Sequence, residues 1–183
     1  LLVFYNMNES SGTRVDAVGS GHDLNTTIGI VTAGTGIISN AITLAASSAI
    51  GRTGGPGPIT TAAIGSSTGF TITLWSFPTT LQDGKTIIGL HQDSDPLAQG
   101  SSTFSFLIQT VTAATKLRFI VSNITGNTVQ HDTGTGLTEN AWNFVACWFD
   151  PTLDLVYSQV NNGIINTAAY TSTCAVSATH NLV

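Results

Sequence analysis

The stretch Phe70-Thr-Ile-Thr-Leu-Trp-Ser-Phe77 decides the fold class, because apolar and hydroxyl residues alternate along it. The alternation separates two faces: Phe70, Ile72 and Leu74 against Thr71, Thr73 and Trp75. A period of two residues is that of a β-strand with one buried face, and no helical period competes with it. We therefore predict a half-buried strand here and an all-β fold around it.

The same period recurs on both sides of this strand. It predicts strands over 103–109 and 116–122, and a strand over 142–149 that is apolar on both faces and so central in a packed sheet. Asn161-Asn162-Gly163 favours a tight hairpin. Weaker patterns predict further strands over 1–7, 37–44, 59–64, 86–90, 128–131, 153–160 and 164–169.

Short strands with turn residues about every 8–12 positions favour a sandwich or barrel, and no linker divides residues 1–183 into more than one domain. We predict a two-sheet antiparallel sandwich of the jelly-roll kind. The alternation assigns ten side chains to its core: Phe70, Ile72, Leu74, Phe104, Phe106, Leu117, Phe119, Phe144, Trp148 and Leu155.

Composition excludes two classes of partner. Of 183 residues 42% are apolar but only 8% are charged, against roughly a quarter in ordinary proteins. Two lysines and three arginines are scattered in a chain of net charge −5, so no basic patch for nucleic acid can form. No apolar run reaches the roughly 18 residues of a membrane span. An uncharged, hydroxyl-rich surface is typical of extracellular and virion-surface proteins, and we expect that location.

The two cysteines, Cys147 and Cys174, are too few for a disulfide framework or a zinc site built on cysteine. Cys147 falls in an apolar strand and Cys174 in a loop pattern. A buried free thiol at Cys147 is the favoured interpretation, and a single bridge is the alternative.

Six segments together carry a family resemblance. Residues 2–13 resemble a strand running into a "D/N-E-x-S-G-T" turn, and residues 14–24 resemble "D-S-x-G-x-x-H-x-L". The other four are similar to "G-K-x-G-N-A-x-x-F", "F-T-I-S-x-W-x-x-P", "W-x-H-V-A" and "L-x-L-Y-V-N-G": residues 36–44, 70–78, 142–146 and 155–163. In this order they resemble laminin-G-like domains of the concanavalin-A-like lectin and glucanase fold, of the type found in environmental bacteria and phages.

The resemblance implies the same β-sandwich and one missing part. Where the family carries a hallmark tryptophan near its first strand, this chain has Asn6. The family continues beyond a position like Asn181-Leu-Val183 into a closing strand. We therefore expect that residues 1–183 are a fragment, and that a strand from outside it or a partner subunit pairs with residues 1–7.

Hydrolytic chemistry is not indicated. Glycoside hydrolases need two carboxylates about 5–9.5 Å apart, whereas the two glutamates here, Glu9 and Glu139, lie far apart and outside the clear strands. Asp150 and Asp154 flank a proline and fit turn chemistry. The G-x-S-x-G sequence at residues 65–69 lacks the strand-to-helix setting of an elbow for a serine nucleophile. We expect no enzyme activity.

Candidate ligand sites are few. Asp93 and Asp95, two apart before Pro96, are the candidate calcium ligands, with an Asp-rich turn as the favoured alternative. His131 and Asp132 form a second, weaker candidate site. Trp75 is the candidate sugar-stacking residue, although we assign it, like Trp142 and Trp148, to the core in the first instance.

Two functions remain open at the level of sequence. One is a non-catalytic recognition module that binds glycan or protein through rim loops. The other is a purely structural domain of a fibre, capsid or other assembly, whose partners are neighbouring subunits or domains. A glycoside hydrolase is the least favoured alternative.

Overall fold

The computed structural model describes residues 4–19, 21–52, 69–91, 104–111, 115–122, 128–172 and 181–182. Within these ranges there are thirteen β-strands and no helix, and hence no helix that could cross a membrane. The strands are β1 (Thr26–Ile28), β2 (Val31–Thr35), β3 (Asn40–Leu44), β4 (Ala49–Gly51), β5 (Phe70–Ser76), β6 (Thr86–His91), β7 (Phe104–Val111), β8 (Lys116–Ser122), β9 (Thr128–Asp132), β10 (Asn143–Asp150), β11 (Leu155–Val160), β12 (Asn166–Ala169) and β13 (Asn181–Leu182).

Two antiparallel sheets form the body of the fold, as the sequence predicts. One has four strands in the order β12-β11-β10-β5, and the other has five in the order β13-β6-β7-β8-β9. Two further antiparallel pairs, β1 with β4 and β2 with β3, lie outside these sheets. The all-β sandwich is therefore confirmed.

The core lies between the two large sheets, because each presents one row of apolar side chains inward. On β10 the buried residues are every second one, and on β11 Val156 and Val160 are fully buried. From the five-stranded sheet come Leu90, Phe106, Ile108, Leu117, Phe119 and Val121. Phe70 joins the two layers, since its ring lies 5.8 Å from that of Phe106 and 6.3 Å from that of Phe119.

The outer face of the four-stranded sheet corrects part of the core prediction. Phe106, Leu117 and Phe119 are buried, and Phe70, Ile72 and Leu74 pack partly buried against them. In contrast, the partly exposed side chains of β10 and β11 point away from the core: Phe144, Trp148 and Leu155. The strand over 142–149 is thus covered on one face only. Its second apolar face is a surface feature.

Strand boundaries differ from the prediction where alternation is weak. Of residues 4–7, only Tyr5 pairs, in an isolated bridge to Asp16, so this segment is not a regular strand. β1, β2 and β4 were not predicted as such, because short segments rich in threonine, glycine and alanine show no clear apolar period. The predicted strand over 59–64 and the side chain of Phe104 lie outside the described residues.

The predicted tight hairpin after β11 is a longer loop in the structure. The connection from β11 to β12 spans five residues, 161–165, and its positive φ falls on Asn161 (φ 53°) rather than on Gly163.

Cys147 is a buried free thiol, as favoured, and burial raises its pKa to about 12. Cys174 lies outside the described residues. β13 pairs with β6 and forms one edge of the five-stranded sheet, and the expected closing strand stays a prediction.

Candidate functional site

The candidate binding residues of the sequence analysis lie on different sheets. Trp75 projects from the outer face of β5 and is 51% exposed, so its first assignment to the core is wrong. His131 and Asp132 lie on β9, at the edge of the other sheet. Consecutive strand residues point to opposite faces, and the register places His131 opposite buried Phe119 and Asp132 opposite Arg118. The structure does not bring the three residues together.

The β9 pair is built as part of the sheet edge. The Arg118 guanidinium donates two hydrogen bonds to Asp132. Nε lies 2.6 Å from one carboxylate oxygen, and Nη2 lies 3.0 Å from the other. These bonds lower the pKa of the Asp132 carboxyl and raise that of Arg118. Burial lowers the pKa of His131. Such a half-exposed ion pair contributes up to about 1 kcal/mol to stability and leaves no free charge for a ligand.

Trp75 and Phe144 form an exposed aromatic corner on the four-stranded sheet. They face each other in the register of β5 and β10, with ring centroids 5.1 Å apart and planes at 54°. Together with Asn161 and Asn162 they line an open depression of ≈ 320 Å³. Apolar rings flanked by a few amide groups are the usual lining of a site for an uncharged ligand.

Asn161 fixes this corner by joining the β11–β12 loop to β10. Its backbone N–H donates to the Phe144 carbonyl (2.7 Å), and its side-chain oxygen accepts from the Phe144 N–H (2.9 Å). The left-handed conformation of Asn161, which asparagine tolerates better than most residues, allows both bonds at once. Buried Asn143 binds the backbone of Thr138, in the β9–β10 loop, through both ends of its amide, and its side-chain oxygen lies 3.5 Å from the amide nitrogen of Asn161.

Two more aromatic pairs continue from this corner. Trp148 of β10 stacks on Tyr157 of β11, with ring centroids 4.8 Å apart and planes within 4° of parallel. Phe77, which is 42% exposed just beyond β5, meets Trp142 at 5.4 Å. All of these rings lie outside the core cluster.

The outer face between the aromatic pairs carries a single charged group. Alternation along β5, β10, β11 and β12 assigns twelve residues to it: Thr71, Thr73, Trp75, Phe144, Ala146, Trp148, Asp150, Leu155, Tyr157, Gln159, Thr167 and Ala169. Asp150 is the one ionisable carboxylate in this set, and it accepts the backbone N–H groups of Thr152 and Leu153 in the following turn. The face therefore offers aromatic, hydroxyl and amide groups rather than charge.

The glutamates hold loops in place. Glu9 accepts the backbone N–H of Val15 at 2.8 Å, and Glu139 accepts that of Leu81 at 2.6 Å. In the part of the chain that the structure describes, no group of three metal-ligating side chains converges. Asp93 and Asp95, the candidate calcium ligands, lie outside that part, so the calcium site stays a prediction.

Three buried polar residues near the start of the chain form a cluster that holds the backbone there in place. Arg14, Asp16 and His22 are each at most 2% exposed. Asp16 accepts backbone N–H groups from Phe4 (3.2 Å) and Val18 (3.0 Å), and its second oxygen lies 3.4 Å from Nδ1 of His22. The cluster thereby fastens the first segment to the following turn.

Sequence reasoning missed Phe144, Trp148 and Tyr157 as surface residues. It took an apolar second face on β10 as a sign of burial on both sides. A usable signal existed in the neighbouring strand, since Thr71 and Thr73 share the face of Trp75 and hydroxyl residues mark a solvent-facing side. The cross-strand partners of those residues had to share their exposure.

Comparison with known proteins identifies relatives in fold. No protein-family model matches the chain, and no curated protein sequence is significantly similar to it. Domain 4 of AbnA, a GH43 extracellular arabinanase from Geobacillus stearothermophilus solved in complex with arabinotriose, is similar with a TM-score of 0.62 and 16% identity, over 99% of this chain and 79% of that one. The binding domain of Paraclostridial Mosquitocidal Protein 1 is similar with a TM-score of 0.64 and 14% identity, over 98% of this chain.

This chain spans 43% of the toxin chain, so the comparison concerns one part of that molecule. At these identities the likeness shows a shared fold alone, and a fold hosts many functions. The more specific laminin-G-like resemblance is not tested by either structure.

Proposed function

We propose that this domain is a non-catalytic recognition module that binds a neutral glycan on the outer face of its four-stranded sheet, at the depression lined by Trp75. The observation that carries the proposal is a half-exposed tryptophan beside Phe144, with two asparagines, Asn161 and Asn162, lining the same depression. A sugar ring has one face of C–H bonds and a rim of hydroxyls. An aromatic plane with adjacent amides complements both.

Charge supports a neutral ligand over an anionic one. The outer face carries no lysine or arginine, and the whole chain has a net charge of −5. A sulfated or uronic-acid glycan would lack a cationic partner and be repelled. The sequence favoured binding through rim loops, and one loop segment, Asn161 and Asn162, lines the depression.

The non-catalytic part of the proposal is supported by three carboxylates that already accept hydrogen bonds from backbone N–H groups. Glu9 and Glu139 each hold a backbone N–H group in a loop, and Asp150 caps a turn. None of the three shares the depression. A glycoside hydrolase would need a general acid and a second carboxylate facing each other across the bound sugar.

Binding to a panel of insoluble and soluble polysaccharides tests the proposal. The panel includes neutral arabinan, glucans, xylan, galactan and mannan, with anionic polygalacturonate for comparison. The domain is expected to be retained by at least one neutral member, and Trp75→Ala is expected to weaken that retention at least tenfold while Trp75→Phe keeps part of it. Ile38→Ala, at a side chain 96% exposed on the β2–β3 hairpin, is the matched control and should bind as the wild type.

Failure of every neutral glycan to bind, or unchanged binding by Trp75→Ala, would overturn the proposal. Reducing-sugar release from the same panel tests the non-catalytic part. Turnover that depends on a single carboxylate would contradict it.

A structural role in a larger extracellular or virion assembly is the second candidate function. It is favoured by the β2–β3 hairpin, whose apolar side chains Ile37, Ile38 and Leu44 are 45%, 96% and 44% exposed. Light scattering tests it. A stable oligomer that Ile38→Asp dissociates would support this role, and a monomer at high concentration would contradict it.

A further inference from the structure

The stacked pair Trp148–Tyr157 leaves one indole face turned away from the pair. Parallel rings with centroids only 4.8 Å apart must overlap face to face, because coplanar rings at that distance would clash. Tyr157 lies on β11, so it covers the Trp148 face on that side. The opposite face of the indole is directed toward β5, the strand on the other side of β10.

The side chains of β5 on that side of the indole are short. The register pairs three outer-face positions of the two strands: Thr71 with Trp148, Thr73 with Ala146, and Trp75 with Phe144. Thr71 and Thr73 are exposed, and Ala146 is small. A strip of hydroxyl and methyl groups therefore runs along β5 from the indole of Trp148 to the depression at Trp75.

The strip is longer than one sugar ring. Trp75 lies four positions along the strand from Thr71, which is about 13 Å at roughly 3.3 Å per residue. Beyond Thr71 the next residue of the same parity is Gly69, where a Cβ atom would lie 3.0 Å from the Pro151 ring. The strip therefore ends near Trp148.

The other flank of the stacked pair lacks these features. Tyr157 faces Thr167 of β12, and the next outer-face pair along these two strands is Leu155 with Ala169. Among the residues that the structure describes, no second aromatic ring is in register there to hold a neighbouring sugar. Within this part of the chain, aromatic rings at both ends of a strip of short side chains are found on the β5 side.

We infer that the four-stranded sheet carries an extended site along β5, defined by Thr71, Thr73, Trp75 and Trp148, which takes several consecutive sugars of a linear neutral oligosaccharide rather than a single sugar. This rests on the proposed function and specifies its ligand class. Trp75 and the free face of Trp148 hold sugars at the two ends of the site. The hydroxyls of Thr71 and Thr73 bind the sugar hydroxyls between them.

A chain-length series tests the extended site. Isothermal titration with linear arabinose and glucose oligomers of one to five sugars measures the affinity at each length. For a series that binds, affinity is expected to rise at least tenfold between one and three sugars. Trp148→Ala is expected to remove most of this rise, leaving an affinity for the trimer close to that for the monosaccharide.

Thr71→Phe is the second variant, because it keeps Trp148 and places a phenyl ring over the free indole face in a strand that tolerates aromatics. It should weaken trimer binding at least tenfold. Thr167→Phe is its matched control, on the same sheet face but on the far side of Tyr157, and should bind the trimer as the wild type does.

The outcomes separate this inference from the proposed function. Equal affinity for one and three sugars, or unchanged trimer binding by both Trp148→Ala and Thr71→Phe while Trp75→Ala loses it, would overturn the extended site and leave glycan recognition standing. Loss of trimer binding in Thr167→Phe but not in Thr71→Phe would place the chain on the wrong flank and also overturn it. Absence of binding by every oligomer and polysaccharide would overturn both.

Discussion

Replacing Phe119 by alanine removes a side chain at the centre of the contact between the two sheets. Phe119 is fully buried on β8, and its ring meets that of Phe70 from the other sheet at 6.3 Å and 76°, an edge-to-face geometry. A fully buried phenylalanine costs about 3–5 kcal/mol when truncated to alanine, since transfer energy is lost and a cavity remains. The ring contact itself contributes about 0.5–1.5 kcal/mol of this.

The expected loss is a large part of a typical total stability of about 5–15 kcal/mol. For a domain of this size about 2–4 °C is lost per kcal/mol, so the melting temperature should fall by about 6–20 °C. Urea unfolding followed by tryptophan fluorescence measures the free energy, and calorimetry measures the temperature. Ile38→Ala, at a 96% exposed side chain, is the control and should stay within about 0.5 kcal/mol of the wild type.

A loss below about 1 kcal/mol for Phe119→Ala would refute the reasoning, because truncating a side chain that bridges two packed sheets should lower the free energy of unfolding by more than this. Equal losses for Phe119→Ala and Ile38→Ala would do the same. Either result would mean that the two sheets do not meet at this side chain.

Three further predictions concern single groups. The Cys147 thiol, fully buried and with its pKa raised to about 12, should resist Ellman's reagent in the native protein and react at the unfolding rate; immediate labelling of Cys147 would contradict its burial. Burial lowers the pKa of His131, so the folded protein favours the neutral imidazole, and the free energy of unfolding should decrease as the pH falls below the ordinary histidine pKa near 6.5. His131→Gln should flatten that part of the curve of stability against pH. Identical curves for the variant and the wild type would refute this prediction. The hydrogen bond from Arg118 lowers the pKa of Asp132, so its contribution is present above the ordinary carboxyl pKa and lost as pH falls toward the lowered value; Asp132→Asn should cost less than about 1 kcal/mol at pH 7, and a larger loss would show that the pair is not the surface bridge described.

The sandwich was predictable from sequence because its two sheets rest on strands with a clear period. β5 alternates so regularly that both its extent and its inner face follow from the residues, and the apolar residues of β8 and β10 predict where these two strands lie. β1, β2 and β4 were not predictable from the sequence, because their threonines, glycines and alanines differ little in polarity. Their pairing depends on contacts between distant segments.

The candidate site was only partly predictable, for a different physical reason. Trp75 was identified as a possible sugar-stacking residue from the hydroxyl residues beside it, yet the exposed partners of Trp75 and the stacking of Trp148 on Tyr157 follow from cross-strand register. An aromatic row on a strand has the same sequence pattern whether it faces a second sheet or a ligand. Only the position of the other sheet, on the opposite side of β10, distinguishes the two.

Binding at the outer face is tested most directly by the tryptophan side chains themselves. The chain has three tryptophans, so a ¹H–¹⁵N spectrum should show three indole signals, which Trp75→Phe, Trp142→Phe and Trp148→Phe assign one by one. Titration with a neutral linear oligosaccharide selected by the polysaccharide panel is predicted to shift the indole signals of Trp75 and Trp148 in a saturable manner with one common dissociation constant. Saturable binding that leaves both of these signals in place would contradict the account.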